Sequence, residues 1–119
     1  MERLRERADF LAAAKGARVP AEAFVLQARA RTDTAPPRFG FTVSRKVGTA
    51  VERNRVRRRL REIVRRNAAL IPQSAHDYVL IGRRAALAMP FDRISTEFVG
   101  ALARLSKSGG RTKSTRDER

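Results

Sequence analysis

Residues 53–66 read Arg53-Asn54-Arg55-Val56-Arg57-Arg58-Arg59-Leu60-Arg61-Glu62-Ile63-Val64-Arg65-Arg66, eight arginines in fourteen residues that keep the apolar spacing of a helix. Val56, Leu60, Ile63 and Val64 fall at i, i+4, i+7 and i+8, which is one stripe of an α-helix. At about 100° per residue, Asn54, Arg57, Arg58, Arg61 and Arg65 lie opposite that stripe, with Arg53, Arg55, Arg59 and Arg66 on its flanks. The stripe can dock on a core while the outer face is nearly all guanidinium. Arg57, Arg61 and Arg65 form one row at i, i+4 spacing, where like charges cost helix stability, so the row calls for negative charge from outside.

The rest of the chain bounds what that helix belongs to. Its 119 residues make one domain with a single modest core. The formal charge of +15 and the sequence pI near 11.8 point to nucleic acid first and an anionic membrane second. No segment has the roughly 18 to 20 apolar residues that span a bilayer. Met1 to Arg7 is charged and leads into no apolar signal core, so a cytoplasmic chain is expected. With no cysteine there is no disulfide, thiolate chemistry or Cys-based zinc site. Only four of the 27 basic residues are lysine, so the weight falls on where the charge sits more than on the choice of Arg.

Around the arginine helix the periodicities predict an α-β-β-α-β-α order, a small α+β sandwich of helices on a sheet. Residues 8–15 form a short helix with Phe10, Leu11 and Ala14 on one face and Gly16 as a left-handed terminator. Residues 23–31 alternate as a half-buried strand, the loop 32–37 carries Asp33, Pro36 and Pro37, and residues 38–44 alternate again with Phe39, Phe41 and Val43 inward. An antiparallel hairpin is the expected pairing of these two strands. Thr49 is placed to cap the arginine helix, which should run from about residue 50 to 70 and stop before Pro72. Residues 77–83 form a mostly buried third strand. Pro90 opens the last helix, with Phe91, Ile94, Phe98, Ala101, Leu102 and Leu105 on one face. The domain is expected to span residues 1–105, and residues 106–119, basic and without apolar periodicity, to form a disordered tail.

Read together, Gly40-Phe41-Thr42-Val43-Ser44-Arg45-Lys46-Val47-Gly48-Thr49-Ala50-Val51-Glu52-Arg53-Asn54-Arg55-Val56-Arg57-Arg58 closely resembles the protein subunit of bacterial ribonuclease P. The strand ending in Ser-Arg-Lys, the glycine loop and the Arg-Asn-Arg helix stand in that family's order. The similarity extends to Asp9-Phe10, Phe24-Val25-Leu26 and Asp77-Tyr78-Val79-Leu80-Ile81. The resemblance implies a left-handed β-α-β crossover around the arginine helix, against the usual right-handed rule. It implies an accessory subunit with no catalytic residue of its own, in a ribonucleoprotein whose RNA uses Mg²⁺ to remove the 5′ leader of precursor tRNA. The implied partners are that catalytic RNA and precursor tRNA, with no membrane and no obligate protein partner. The residues implied to bind the catalytic RNA are Arg45, Lys46, Arg53, Asn54, Arg55, Arg57, Arg58 and Arg61. Phe10 is implied to stack on a leader base. This chain has Ala14 where many relatives carry a second aromatic and Gln27 where some carry another, and Arg29, Arg38 and Thr42 are expected to supply polar leader contacts instead.

Alternatives stand beside these expectations. Phe10 fits core packing as well as a leader contact, and Phe39, Phe41, Phe91 and Phe98 are read as core. Gly48 serves a turn as readily as a phosphate, and His76 has no second histidine or cysteine near it in sequence. Scattered carboxylates assemble no nucleophile-base pair or metal motif. A structural RNA-binding protein and a self-sufficient nuclease are the competing functions; the first would bind RNA without effect on tRNA processing, and the second needs a catalytic constellation.

Overall fold

The computed structural model describes the backbone of residues 2–112 and the side chains of residues 2–106. In chain order the elements are β1 (Glu2–Arg3), α1 (Arg7–Ala14), β2 (Ala17–Pro20), β3 (Phe24–Ala30), β4 (Arg38–Thr42), α2 (Ala50–Arg66), β5 (His76–Gly82) and α3 (Phe91–Thr112). Short 3-10 turns at Arg45–Val47, Ala68–Leu70 and Arg84–Leu87 join them. The strands form one mixed sheet in the order β1-β4-β5-β3-β2. One face carries α2 and α3, and the other carries α1. Phe24, Leu26, Phe39, Tyr78 and Leu80 meet Val56, Leu60, Ile63, Val64, Ile94, Phe98 and Leu102 in the main core. Leu4, Ala13 and Val79, with Phe10 and Ile81, make a smaller core under α1.

The expected hairpin is not formed. β3 and β4 both pair with β5, β3 antiparallel and β4 parallel, so β5 separates them. β5 is the strand most apolar on both sides, and the middle of a sheet covered by helices on both faces is where such a strand buries most surface. The 31–37 connection therefore passes the start of β5, where the Arg31 guanidinium donates to the carbonyls of His76 (2.8 Å), Ala35 (3.0 Å) and Pro36 (2.8 Å). β3 takes its hairpin partner from the other side. β2 pairs with it antiparallel from Ala17↔Ala28 to Pro20↔Val25, an edge strand that tolerates Pro20. β1 joins β4 in parallel through Glu2↔Arg38 and Arg3↔Phe39.

Other expectations need correction. β3 is buried on both faces from Phe24 to Ala28, because α1 covers the side read as solvent-facing. Within α1 the inward residues are Phe10 and Ala13, while Leu11 is 53% exposed. Gly16 does not adopt a left-handed conformation. A side chain there would meet the Ala28 carbonyl at 2.1 Å, so close approach of two backbones explains the glycine. The arginine helix ends at Arg66 and passes into the 3-10 turn. α3 continues to Thr112, past the boundary set at Leu105. Apolar periodicity marks where the docked face stops, whereas helix backbone propagates beyond a nucleated segment at low cost per residue. Residues 113–119 of the expected tail lie outside the described residues.

Candidate nucleic-acid interface

The start of α2 is fixed by a capping box. The Glu52 amide donates to the Thr49 hydroxyl at 3.1 Å, and the Glu52 carboxylate accepts from the Thr49 amide at 2.9 Å, satisfying two otherwise orphaned donors. Those bonds hold the Glu52 carboxyl below the usual carboxylate range, the Thr49 amide contributing most and Arg84 next. Gly48 precedes the box at φ +157°, and a Cβ there would lie 2.1 Å from Glu52 Oε1. Gly48→Ala is therefore expected to lower stability by about 1–3 kcal/mol through backbone strain and a displaced cap. A urea midpoint shift reads this out, and an unshifted midpoint would mean that the corner relaxes freely. The corner matters because it sets Arg45 and Lys46, exposed on the 3-10 turn after β4, beside the first turns of α2.

Val56, Leu60, Ile63 and Val64 are buried as the stripe predicted, which turns the arginines outward. Several of them are used within the chain. Arg53 donates to the Gly48 carbonyl at 3.2 Å and Arg57 to Asn54 Oδ1 at 2.8 Å, so Asn54 orients an arginine. Arg59 is drawn inward: it donates to the carbonyls of Ala86 (2.8 Å) and Met89, and it lies 4.6 Å from the Phe91 ring centre. Burial, and then the charge of Arg55, lower its pKa. Arg65 and Arg66 share Glu62, whose pKa falls from an ordinary 4.5 to about 2 under their hydrogen bonds and charges. The Arg57-Arg61-Arg65 row is thus relieved partly inside the chain, by Asn54 and Glu62. Among the described residues, Arg45, Lys46, Arg55, Arg58 and Arg61 make no side-chain hydrogen bond or ion pair. Arg61 lies 5.8 Å from the Phe41 ring centre.

The other group of expected site residues lies across the sheet, on the α1 side. Arg29, Asp77 and Arg38 are in register across β3, β5 and β4. The Asp77 side chain is fully buried and accepts from Arg38 at 2.8 and 2.9 Å, Arg31 at 2.6 Å and Arg29 at 3.3 Å. Burial alone would raise its pKa, but the hydrogen bonds and charges of Arg38 and Arg31 outweigh burial and hold it below the usual carboxylate range. Asp9 on α1 adds ion pairs to Arg38 at 3.4 Å and Arg29 at 3.8 Å. Arg29 and Arg38, each about one-third exposed, are therefore locked in place between two carboxylates at the base of α1. Phe10 lies against the backbone of Gly40, where an added Cβ would come 2.4 Å from its ring. It is half-buried and packed against the smaller core. Thr42 is exposed further along β4, and Gln27, which stands where some relatives are expected to carry an aromatic, is buried.

No group of three or more His, Asp or Glu among the described residues is placed to hold a metal ion, and Asp9 and Asp77 are shared among arginines. None of the described helices is long and apolar enough to cross a membrane.

Known proteins share both the sequence and this architecture. The Ribonuclease P family model matches residues 1–106. The ribonuclease P protein component of Gluconacetobacter diazotrophicus is 47% identical over 109 residues, covering 91% of this chain and 90% of the relative. That of Caulobacter vibrioides is 43% identical over 113 residues, covering 91% and 76%. Among solved structures, the ribonuclease P protein of Thermotoga maritima superposes with a TM-score of 0.74 at 35% identity, covering 87% of this chain and 97% of that one. The Staphylococcus aureus ribonuclease P protein gives 0.72 at 30% identity, covering 87% and 94%. Matched by the family model over residues 1–106, 47% identical to one relative along most of both chains and superposing on solved structures with TM-scores above 0.7, this chain belongs to the ribonuclease P protein family.

Proposed function

We propose that this protein binds the catalytic RNA of ribonuclease P through the outer face of α2 and the 3-10 turn before it, and the 5′ leader of precursor tRNA through the α1 side of the sheet. The observation that carries the reading is the set of exposed cations Arg45, Lys46, Arg55, Arg58 and Arg61, which make no side-chain hydrogen bond or ion pair among the described residues and stand along α2 and the 3-10 turn before it. Folding aligns like charges there at a cost that phosphate oxygens would remove, with counterion release as the driving force. Arg53, Asn54 and Arg57 belong to the same surface and order it. On the opposite side, the half-buried Phe10 shares the α1 face of the sheet with Arg29, Arg38 and Thr42, a combination suited to an unpaired strand. Cleavage chemistry is assigned to the RNA and its Mg²⁺, and the protein neutralises the repulsion between two RNAs.

Two measurements test this assignment. The purified chain alone is expected to leave precursor tRNA intact in Mg²⁺; cleavage that survives repurification would favour a self-sufficient nuclease. In the particle, Phe10→Ala is expected to weaken leader-bearing substrate by about 5-fold or more, as loss of one stacked base does, and to spare mature tRNA. Equal losses for both RNAs would return Phe10 to a packing role.

A further inference from the structure

Between the β1-β4 edge and the C-terminal half of α2 lies a groove of about 410 Å³, lined by Glu2, Arg3, Phe39, Phe41, Arg61 and Arg65. Its size falls in the range of small-ligand sites, roughly 300–1,000 Å³. Phe39 is almost fully buried and forms the floor, while Phe41 is half-buried with its ring reachable from the groove. Arg61 overhangs that ring with its guanidinium carbon 5.8 Å from the centroid. Arg3 and Arg61 make no ion pair among the described residues, and Arg65 is held by Glu62. One carboxylate, Glu2, sits among these three cations, so the rim keeps a positive excess.

We propose that this groove is a nucleotide subsite: an unpaired base of the bound RNA stacks on the Phe41 ring, and its phosphate sits on Arg61 and Arg3. The inference rests on the assignment of α2 to the catalytic RNA, and it extends that surface around the helix to the sheet edge. Three features favour this occupant. An aromatic face beside a guanidinium is the usual platform for an unpaired base. The net positive rim complements a phosphate. Arg61 belongs to both the groove and the exposed cationic face, so an RNA lying along α2 reaches the groove without leaving the surface. The groove is on the α2 side of β4, whereas Phe10, Arg29 and Arg38 are on the α1 side, which assigns the nucleotide to the catalytic RNA and not to the leader.

The test uses the full-length chain and two small probes, adenosine 5′-monophosphate and ribose 5-phosphate, followed by NMR. The nucleotide is expected to shift the Phe41 ring protons and the Arg61 Nε–H, whereas ribose 5-phosphate leaves the ring protons in place. Phe41→Leu, which keeps an apolar side chain over the core, and Arg61→Ala, on the exposed face, are each expected to weaken the nucleotide about 5-fold or more. Equal responses to both probes, or a nucleotide response unchanged in Phe41→Leu, would overturn the proposal. Neither probe requires the catalytic RNA, so a negative result here leaves the α2 assignment standing, and loss of that assignment would show only in binding of the whole RNA. In the particle, Phe41→Leu is expected to weaken the catalytic RNA by a similar factor without altering the preference for leader-bearing substrate; a change confined to that preference would also contradict the placement.

Discussion

Asp77→Asn is expected to be the most destabilising single substitution in the polar structure, costing about 3–5 kcal/mol as removal of one partner of a buried ion pair does. The side chain is fully buried and gathers three arginines: Arg29 near the end of β3, Arg31 just past it and Arg38 at the start of β4. Without the carboxylate, Arg31, only 5% exposed, keeps its positive charge in a nearly dry site with the exposed Asp33, at 3.2 Å, as its remaining carboxylate partner. A domain of this size has about 5–15 kcal/mol of total stability, so the loss is a large fraction of it. Urea denaturation measures the loss, and a change below about 1 kcal/mol would mean that solvent screens the network. The effect also depends on pH. Asp77 has a folded pKa below its unfolded value of about 3.9, so its stabilisation is complete well above that value and disappears as pH falls through the folded one. Glu62 acts in the same direction between its ordinary 4.5 and about 2. The parent protein should therefore lose stability on acidification from pH 5 to pH 2, and Asp77→Asn should show a shallower loss.

The second large effect concerns RNA affinity. The triple substitution Arg45→Ala, Arg55→Ala and Arg58→Ala removes three cations that make no ion pair among the described residues, and it leaves the buried stripe of α2 untouched. If each neutralises one phosphate, the slope of log affinity against log salt should flatten by about 2 to 3 units. At 0.1 M salt the same arithmetic gives a loss of roughly a hundred- to a thousandfold. Equilibrium binding to the catalytic RNA over a range of salt concentrations reads both quantities. Substituting Arg59 instead should leave the slope nearly unchanged and lower stability, because its guanidinium is committed to the carbonyls of Ala86 and Met89 and to the Phe91 ring. A slope that survives the triple substitution would place the phosphates elsewhere.

These two predictions differ in how far the sequence foretold them. The spacing of Val56, Leu60, Ile63 and Val64 alone gave the helix, its buried side and its exposed side, and Thr49 announced the cap, because those features depend on neighbours within one or two turns. Strand pairing depends on residues far apart in sequence. Alternation said which way Phe24, Leu26, Phe39 and Phe41 point, but not that β5 would insert between β3 and β4. A signal was present: Asp77 opens an otherwise apolar strand and requires cations, and Arg29 and Arg38 stand at matching positions on the two flanking strands. The same limit applied to the arginines of α2. A helical wheel places Arg59 and Arg66 on the flank, but only the position of Phe91 on α3 shows that both gather around one ring. β1 and β2 were missed because two charged residues and a four-residue segment ending in proline carry too little periodicity to register.

The role in tRNA maturation is tested by reconstitution: cleavage of precursor tRNA by the host's catalytic RNA at low Mg²⁺, with and without this protein. The RNA alone is expected to cut poorly, the protein alone not at all, and the mixture to restore accurate removal of the 5′ leader. A mixture no faster than the RNA alone, under conditions where the two demonstrably bind, would rule out an accessory role in leader removal.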